Sequence, residues 1–335
     1  MLSPDTRVYA TVLHTDHTLQ YSLTIAANVL ATPINFLSFY LIIFVSKRES
    51  TSFKVCMFLG QFFFYIAQVH LGVLMGLVTL HPFPGVYCMG VLKNAASSFT
   101  HCFIWFLLFS SYVYVSFVQL VNRLRVVARP GKVFDQSNWT YSVVYTLLAV
   151  YIYVPFPAVL LVSNSSLENM KVFVKKHFPN NAMVFDNPGV FILTNPTHTI
   201  WNHAVMAFMV LSAVVFVILA YYFITKEIES SLESKSGPST EEIRQNLNNY
   251  VLQSLTHVLF LMTSCGLILR TFFNDPSVDS RISNTIAFTC LCGASIPYQL
   301  LMISRNAAYR EFVLKPFRRS TRPPTLYQQR VSVFS

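Results

Sequence analysis

The chain of 335 residues is too apolar for a soluble globular domain, because 53% of its residues are hydrophobic and only 11% are charged. Soluble domains carry about 25% charged residues. Of the 24 Lys and Arg residues, only Arg270 falls within a long apolar run. The composition therefore predicts a membrane protein. Its basic loops and anionic lipid explain the net charge of +10 without a nucleic-acid partner.

Seven apolar segments are each long enough to cross a bilayer as a helix, which needs about 20 residues. Hydrocarbon offers the backbone no hydrogen-bonding partner, so these segments must be helices. The sequence therefore predicts an all-α membrane protein built as a seven-transmembrane helix bundle. The predicted spans are 21–45, 55–80, 95–120, 141–162, 200–224, 251–273 and 282–303.

Prolines inside these spans predict kinks, because each removes a backbone donor from its helix. A bundle tolerates them where neighbouring groups pair with the freed carbonyls. Pro297, near the end of the last span, has a second interpretation as the kink of a conformational switch. The four prolines are Pro33, Pro155, Pro157 and Pro297.

Lys and Arg are distributed unequally between alternate loops. With the N-terminus outside, the inner segments hold 17 of these residues and the outer segments hold 6. The positive-inside rule therefore predicts an extracellular N-terminus and a cytoplasmic C-terminus. The predicted organisation is an extracellular segment 1–20, the bundle 21–303, an amphipathic juxtamembrane helix 304–319 and a disordered cytoplasmic tail 320–335.

Several functional classes are disfavoured by residues that the chain lacks. The last span holds no lysine for a retinal Schiff base, and no Asp, Glu or Lys lies within a span to serve a coupled pump. No nucleotide-binding, zinc-binding or nucleophile-elbow motif is present, so we expect neither an enzyme nor a cofactor or metal site. A receptor remains, with a ligand-gated channel or a facilitative carrier of small solutes as the alternative.

The six cysteines do not fit the usual cross-link of rhodopsin-like receptors. That disulfide joins the long second outer loop to the third helix, but the loop 163–199 contains no cysteine. Such a bond therefore cannot form. Cys88 is the one cysteine that the sequence predicts to be exposed on the outer side.

Two stretches resemble the signatures of a known family. They are HPFPGVYCMGVL at 81–92 and ASIPYQLLMISRNAAYREF at 294–312. Both are similar to nematode serpentine chemoreceptors of the Str-type superfamily, class H or class I. The resemblance implies a receptor in the plasma membrane of a sensory cilium. It also implies that the protein binds a small environmental molecule and activates a heterotrimeric G protein.

The chain departs from the family pattern at the inner end of the third helix. The family commonly has an acidic residue, Asn and Arg there, whereas this chain has Val121, Asn122 and Arg123. The missing acid removes any ionic latch that it would make and leaves Arg123 available to a partner. At the end of the last span, Ile296, Pro297 and Tyr298 stand near the place of the Asn-Pro-x-x-Tyr motif of rhodopsin-like receptors.

Polar side chains in the outer halves of the spans are candidates for ligand contact, because buried polar groups face the bundle interior. Each also has a structural alternative, such as an interhelical hydrogen bond or a place in the wet interface. Arg270 would either reach the lipid headgroups or point inward as an anchor for an acidic ligand. The candidates are His70, Ser98, His101, Asn202, His203, Arg270 and Asn284.

The inner side carries basic residues that either set topology or contact the G protein. Beyond the last span, apolar residues recur at helical spacing with basic residues between them, at Tyr309, Phe312, Val313 and Phe317. This pattern predicts an interfacial helix that contacts membrane lipid. The predicted coupling residues are Asn122, Arg123, Arg125, Arg129 and Arg310.

Overall fold

A computed structural model describes residues 17–46, 51–80, 85–128, 131–186, 189–232, 258–268 and 280–319, with Leu252, Leu255, Thr256 and Arg270 as isolated positions. The sequence also makes predictions for the N-terminal segment and the tail, of which 1–16 and 320–335 lie outside these residues.

The described part of the chain is mostly helical, as predicted. Long apolar segments give the spans, and Ser97, Ser137 and Ser166 cap helices through their hydroxyl oxygens. The helices are α1 (Thr18–Tyr40), α2 (Thr51–Val69), α3 (Ser98–Val127), α4 (Asn138–Tyr153), α5 (Pro155–Val162), α6 (Leu167–His177), α7 (Pro196–Leu232), α8 (Val258–Ile268), α9 (Arg281–Gly293), α10 (Ser295–Arg305) and α11 (Ala307–Arg319).

Six of the predicted spans correspond to helical segments that are long and apolar enough to cross a membrane. The described part of the remaining span, 251–273, contains the apolar helix α8. The membrane-bundle fold predicted from the sequence is confirmed. The six segments are Thr18–Val45, Thr51–Met75, Ser98–Val126, Asn138–Val162, Ala207–Glu227 and Arg281–Arg305.

Breaks within two spans lie next to prolines. One span divides at Val154 into α4 and α5, and Pro155 begins α5. The last span divides at Ala294 into α9 and α10. Pro297 has no N–H to bond the carbonyl of Gly293 four residues earlier, which accounts for a break at this position.

The second span ends earlier than predicted. Its helix closes with a π-helical segment, His70–Met75, whereas the prediction ran to residue 80. Gly76 takes a left-handed conformation with φ of 55°, which ends the helix. A Cβ atom at Gly76 would lie 2.6 Å from the backbone nitrogen of Gly90, so only glycine fits.

Beyond Gly76 the chain forms a small antiparallel sheet that the sequence analysis did not predict. Strand β1 (Leu77–Thr79) pairs with β2 (Gly85–Cys88), which pairs with β3 (Phe191–Ile192). The register places Leu77 opposite Cys88 and Val86 opposite Phe191. The sheet thus joins the connection before α3 to the connection between α5 and α7.

The sheet and α6 form a compact layer over one end of the bundle, which we call the cap. We call this end the sheet end and the end that carries α11 the opposite end. Because its apolar core is built from several separate segments, the cap is a packed unit rather than a set of independent loops. Its buried core consists of Val78, Leu80, Tyr87, Met170, Val174, Phe178, Val184, Val190 and Ile192.

Within the bundle, α3 packs against α2, α4, α5 and α7, while α1 packs against α9 and α10. Polar contacts fix α1 against the last span, where Asn35 Nδ2 donates to Ser295 Oγ at 3.1 Å. Gln299 Nε2 in turn donates to Asn35 Oδ1 at 2.6 Å. At the opposite end, Tyr309 of α11 hydrogen-bonds Ser46 beyond α1.

Candidate functional site

Two of the predicted ligand residues, His70 and His101, meet at the sheet end. His70 Nε2 donates to the backbone oxygen of His101 at 3.1 Å, and the two ring centroids are 5.5 Å apart. His101 Nε2 donates to the backbone oxygen of Leu92 at 3.0 Å. These contacts tie the end of α2 to the start of α3.

The hydrogen bonds of His101 fix the role of its other ring nitrogen. A carbonyl oxygen only accepts, so Nε2 must carry the hydrogen. In the neutral ring Nδ1 is then an acceptor. His101 is only 3% exposed, and Nδ1 has no hydrogen-bond partner in the part of the chain that the structure describes. The site therefore presents a buried acceptor.

Ser98 lies one turn before His101 on the same face of α3 and is also buried. Its backbone nitrogen donates to the backbone oxygen of Gly189 at 3.2 Å, and the neighbouring Phe99 ring packs edge-on against Phe191 with centroids 5.3 Å apart. These contacts attach the cap to α3.

Cys88 is buried rather than exposed, so the prediction of an exposed thiol is wrong. It lies on β2 with 5% of its surface exposed and joins an apolar cluster with Cys102. Burial raises the pKa of the Cys88 thiol, and a hydrogen bond with Ser98 lowers it by less. All six cysteines are free, so the cap carries no disulfide.

Of the other predicted ligand residues, the structure describes the side chains of Asn284 and Arg270. Asn284 is buried on α9, which packs against α1 and against the π-helical segment that begins at His70. The Arg270 side chain is exposed. The side chains of Asn202 and His203 lie outside the described residues, although their backbones belong to α7.

At the opposite end, Asn122 connects α3 to two neighbouring helices. Its Oδ1 accepts a hydrogen bond from the Tyr145 hydroxyl of α4 at 2.6 Å. Its Nδ2 lies 3.9 Å from Cys56 Sγ of α2. The predicted coupling residue Asn122 therefore also contributes to the packing of α3 against α2 and α4.

The arginines that follow are held by aromatic rings. The Arg123 guanidinium lies 3.6 Å from the ring centroid of Phe53, on α2. Arg125 hydrogen-bonds Asn138 and lies 4.9 Å from the ring centroid of Tyr141, both on α4. Cation–π contacts of this kind stabilise the position of an arginine side chain. None of these ring partners was predicted from the sequence, although aromatic residues near helix starts are visible there.

The structure describes one of the two remaining coupling candidates. Arg310 is exposed on α11. Arg129 lies outside the described residues.

A cavity of about 80 Å³ lies deeper in the bundle, between α2, α3, α7, α8 and α10. Its polar lining includes the buried amides of Gln61 and Gln299. Gln61 precedes His70 by nine residues on one helical segment, which corresponds to about 14 Å. None of the described ligand candidates lines this cavity, which we call the glutamine chamber.

Comparison with known proteins agrees with this architecture. The family of serpentine-type 7TM GPCR chemoreceptors named Srh matches residues 14–319. A crystal structure of squid rhodopsin superimposes with a TM-score of 0.58 at 12% sequence identity, covering 95% of this chain and 90% of that chain. At this identity the likeness shows a shared fold. No curated protein matches the chain.

Proposed function

Because the chain belongs to the Srh family of serpentine seven-transmembrane chemoreceptors, we propose that it binds a small environmental molecule at the sheet end and activates a heterotrimeric G protein at the opposite end. The family assignment confirms the resemblance of the stretches 81–92 and 294–312. The family and the fold are those of receptors rather than of enzymes.

The unpartnered Nδ1 of His101 is the observation that supports a ligand site at the sheet end. A buried acceptor without a partner is costly, so this position favours a molecule that brings a hydrogen-bond donor. The surrounding cluster of buried residues, including Leu71, Cys102 and Phe288, is apolar. The ligand class that fits is a compact, largely apolar molecule with one hydroxyl or amine hydrogen.

The sequence allows either an acidic or a neutral ligand, and the burial of the candidate residues favours one of them. An acidic ligand would require Arg270 to point inward, but its side chain is exposed. Ser98 and His101 are buried and lie on one face of α3. A neutral donor therefore fits the described residues better than a carboxylate does.

Coupling to a G protein at the opposite end is supported by helix length and charge. With 30 residues, α3 is about 45 Å long, and the hydrocarbon core is about 30 Å thick. Its last turns, which carry Arg123 and Arg125, therefore extend past the hydrocarbon. Together with Arg310 of α11, they offer a basic surface to a partner.

The orientation of the chain belongs to the same proposal. With 17 basic residues in the segments of one side and 6 on the other, the sheet end faces the outside of the plasma membrane. From the family resemblance we also propose a sensory cilium as the location of the receptor. We expect an N-terminal epitope tag to stain intact cells and a C-terminal tag to stain only after permeabilisation; the reverse pattern would refute the orientation.

The experiment that tests the function pairs the receptor with a sensor of Gα and Gβγ dissociation in cultured cells. A panel of small alcohols, phenols, amines, ketones and esters serves as the probe. We expect at least one compound with a donor hydrogen to cause GTP-dependent dissociation. A current in excised membrane without GTP, and no dissociation with any compound, would favour the channel alternative.

Substitution of His101 locates the site. His101→Leu removes the acceptor, and we expect the potency of a donor-bearing agonist to fall about 10-fold, as for the loss of about 1.4 kcal/mol. Thr100→Ala, at an exposed position on the same turn, is the matched control and should leave the potency unchanged. Equal potency in His101→Leu and in the wild type at equal surface expression would reject the site.

A further inference from the structure

The glutamine chamber contains two amide oxygens without a partner. Oε1 of Gln61 and Oε1 of Gln299 are buried and have no hydrogen-bond partner in the described part of the chain. Both side chains line the same cavity. Gln299 is only 1% exposed. Buried carbonyl oxygens are normally paired, so this concentration of unpaired acceptors requires an explanation.

The orientation of Gln299 follows from its neighbours. Asn35 Nδ2 lies 2.8 Å from the backbone oxygen of Ala31, which only accepts, so this atom must be the amide nitrogen. Asn35 Oδ1 is therefore an acceptor, and Gln299 must present its amino group to it. Oε1 of Gln299 is consequently the atom that is left without a partner.

Gln61 is oriented in the same sense. Its Nε2 donates to the sulfur of Met302 at 3.2 Å, and the oxygen remains unpaired. Each amide thus uses its donor on a protein atom and keeps its acceptor. The occupant that these two side chains require is a hydrogen-bond donor.

The lining restricts the size and charge of that occupant. None of the described lining residues is charged, so an ion in the chamber would lose its hydration without a counter-charge. A volume of about 80 Å³ is well below the roughly 150 Å³ of a cavity that admits benzene. One water needs at least about 10 to 15 Å³ of such space, so the chamber has room for a small cluster of waters.

We propose that the glutamine chamber binds a cluster of ordered water molecules, which bridge Gln61 of α2 and Gln299 of α10. On the last span, the bridge lies just beyond the break between α9 and α10. The waters pair with acceptors that the protein leaves open. They make this part of the bundle a hydrated joint, separate from the ligand site at the sheet end.

Hydroxyl-radical footprinting of the purified receptor in lipid nanodiscs tests this proposal, because pulsed X-rays generate radicals from water and label the side chains next to it. Phe64 and Phe117 line the chamber and are 3% and 5% exposed. Phe178 is equally buried, at 3%, and belongs to the apolar core of the cap instead. We expect severalfold more label on Phe64 and Phe117 than on Phe178.

A variant tests whether the amides hold the water. The double substitution Gln61→Leu and Gln299→Leu should reduce the label on Phe64 and Phe117 to the level of Phe178. Gln68→Leu is the matched control, because Gln68 is a buried glutamine of α2 outside the chamber lining and should leave the label unchanged.

Equal label on all three phenylalanines of the wild type would show a dry chamber and overturn the proposal. Full label in the double variant would also overturn it, since the water would then not depend on the amides. If the double variant does not fold, the wild-type comparison decides the question. The measurement needs neither agonist nor G protein, so its outcome is independent of the proposed function.

Discussion

The two ends of the bundle are held together in different ways. At the sheet end, backbone pairing between β2 and β3 and the apolar core of the cap join segments that are distant in the chain. At the opposite end, α2, α3 and α4 are joined by side-chain contacts, such as Arg123 on Phe53 and Asn122 with Tyr145. Backbone hydrogen bonds between strands resist sliding more than side-chain contacts between helices do. The comparison suggests a stiff recognition end and an opposite end that can open.

The strongest test of a stiff sheet end is Gly90→Ala. A Cβ atom here would lie 2.4 Å from the backbone oxygen of Leu74, so the junction of cap and α2 must shift. We expect a loss of about 2 to 4 kcal/mol of stability, measured as a lower melting temperature in detergent. Gly266→Ala is the control, because a Cβ atom there meets nothing within 4 Å. Equal melting temperatures in the two variants would show that the close packing of this junction does not stabilise the fold.

At the opposite end, Phe53→Leu should change activity more than stability. It removes the ring under Arg123, a contact worth about 0.5 to 2 kcal/mol. We expect basal nucleotide exchange on the G protein to rise, because α2 and α3 separate more easily. Phe62→Leu, at an exposed position of α2, serves as the control. Unchanged basal exchange with a lower melting temperature would make the contact purely structural.

Tyr145→Phe tests the second contact at the same end. The substitution deletes one hydroxyl and its hydrogen bond to Asn122, at a cost of about 1 kcal/mol. Basal exchange should rise by a smaller factor than in Phe53→Leu, while agonist potency stays the same. A fall in agonist potency without a rise in basal exchange would instead connect Tyr145 to the sheet end.

The smallest expected effect concerns pH and the cap. Burial raises the pKa of the Cys88 thiol above the roughly 8.5 of an exposed cysteine. The folded state therefore favours the neutral thiol, and the stabilisation is complete below about pH 8.5 and is lost as the pH rises through the folded value. Cys88→Ala should reduce the loss of thermal stability between neutral and alkaline pH. Identical pH profiles in the variant and the wild type would contradict a buried thiol.

The sequence was sufficient to predict the membrane spans, but it did not predict where the second span ends or the sheet that follows it. Apolar length predicts the membrane helices, because the bilayer imposes that length on any crossing segment. Gly76 ends the second span because its backbone is left-handed, and the sequence does not reveal that conformation. The pairing of Val86 with Phe191 joins strands that are too short to leave an alternating pattern, so the cap was missed.

The site was predictable to a similar degree. Burial of a polar residue inside a span is visible from sequence, and His70, Ser98 and His101 were identified in this way. Their grouping depends on how α2 and α3 pack. The contact of Phe53 with Arg123 and that of Gln61 with Met302 connect residues far apart in the chain, which no local pattern encodes.

The cap is fastened to α3 without a covalent bond, and this has a practical consequence for preparing the protein. Because all six thiols are free, the fold does not depend on an oxidising compartment. We expect synthesis in a cell-free lysate that contains reductant to yield the same folded receptor as expression through the secretory pathway. Thiol-reactive dyes at newly introduced surface cysteines could then be used without first breaking a native cross-link.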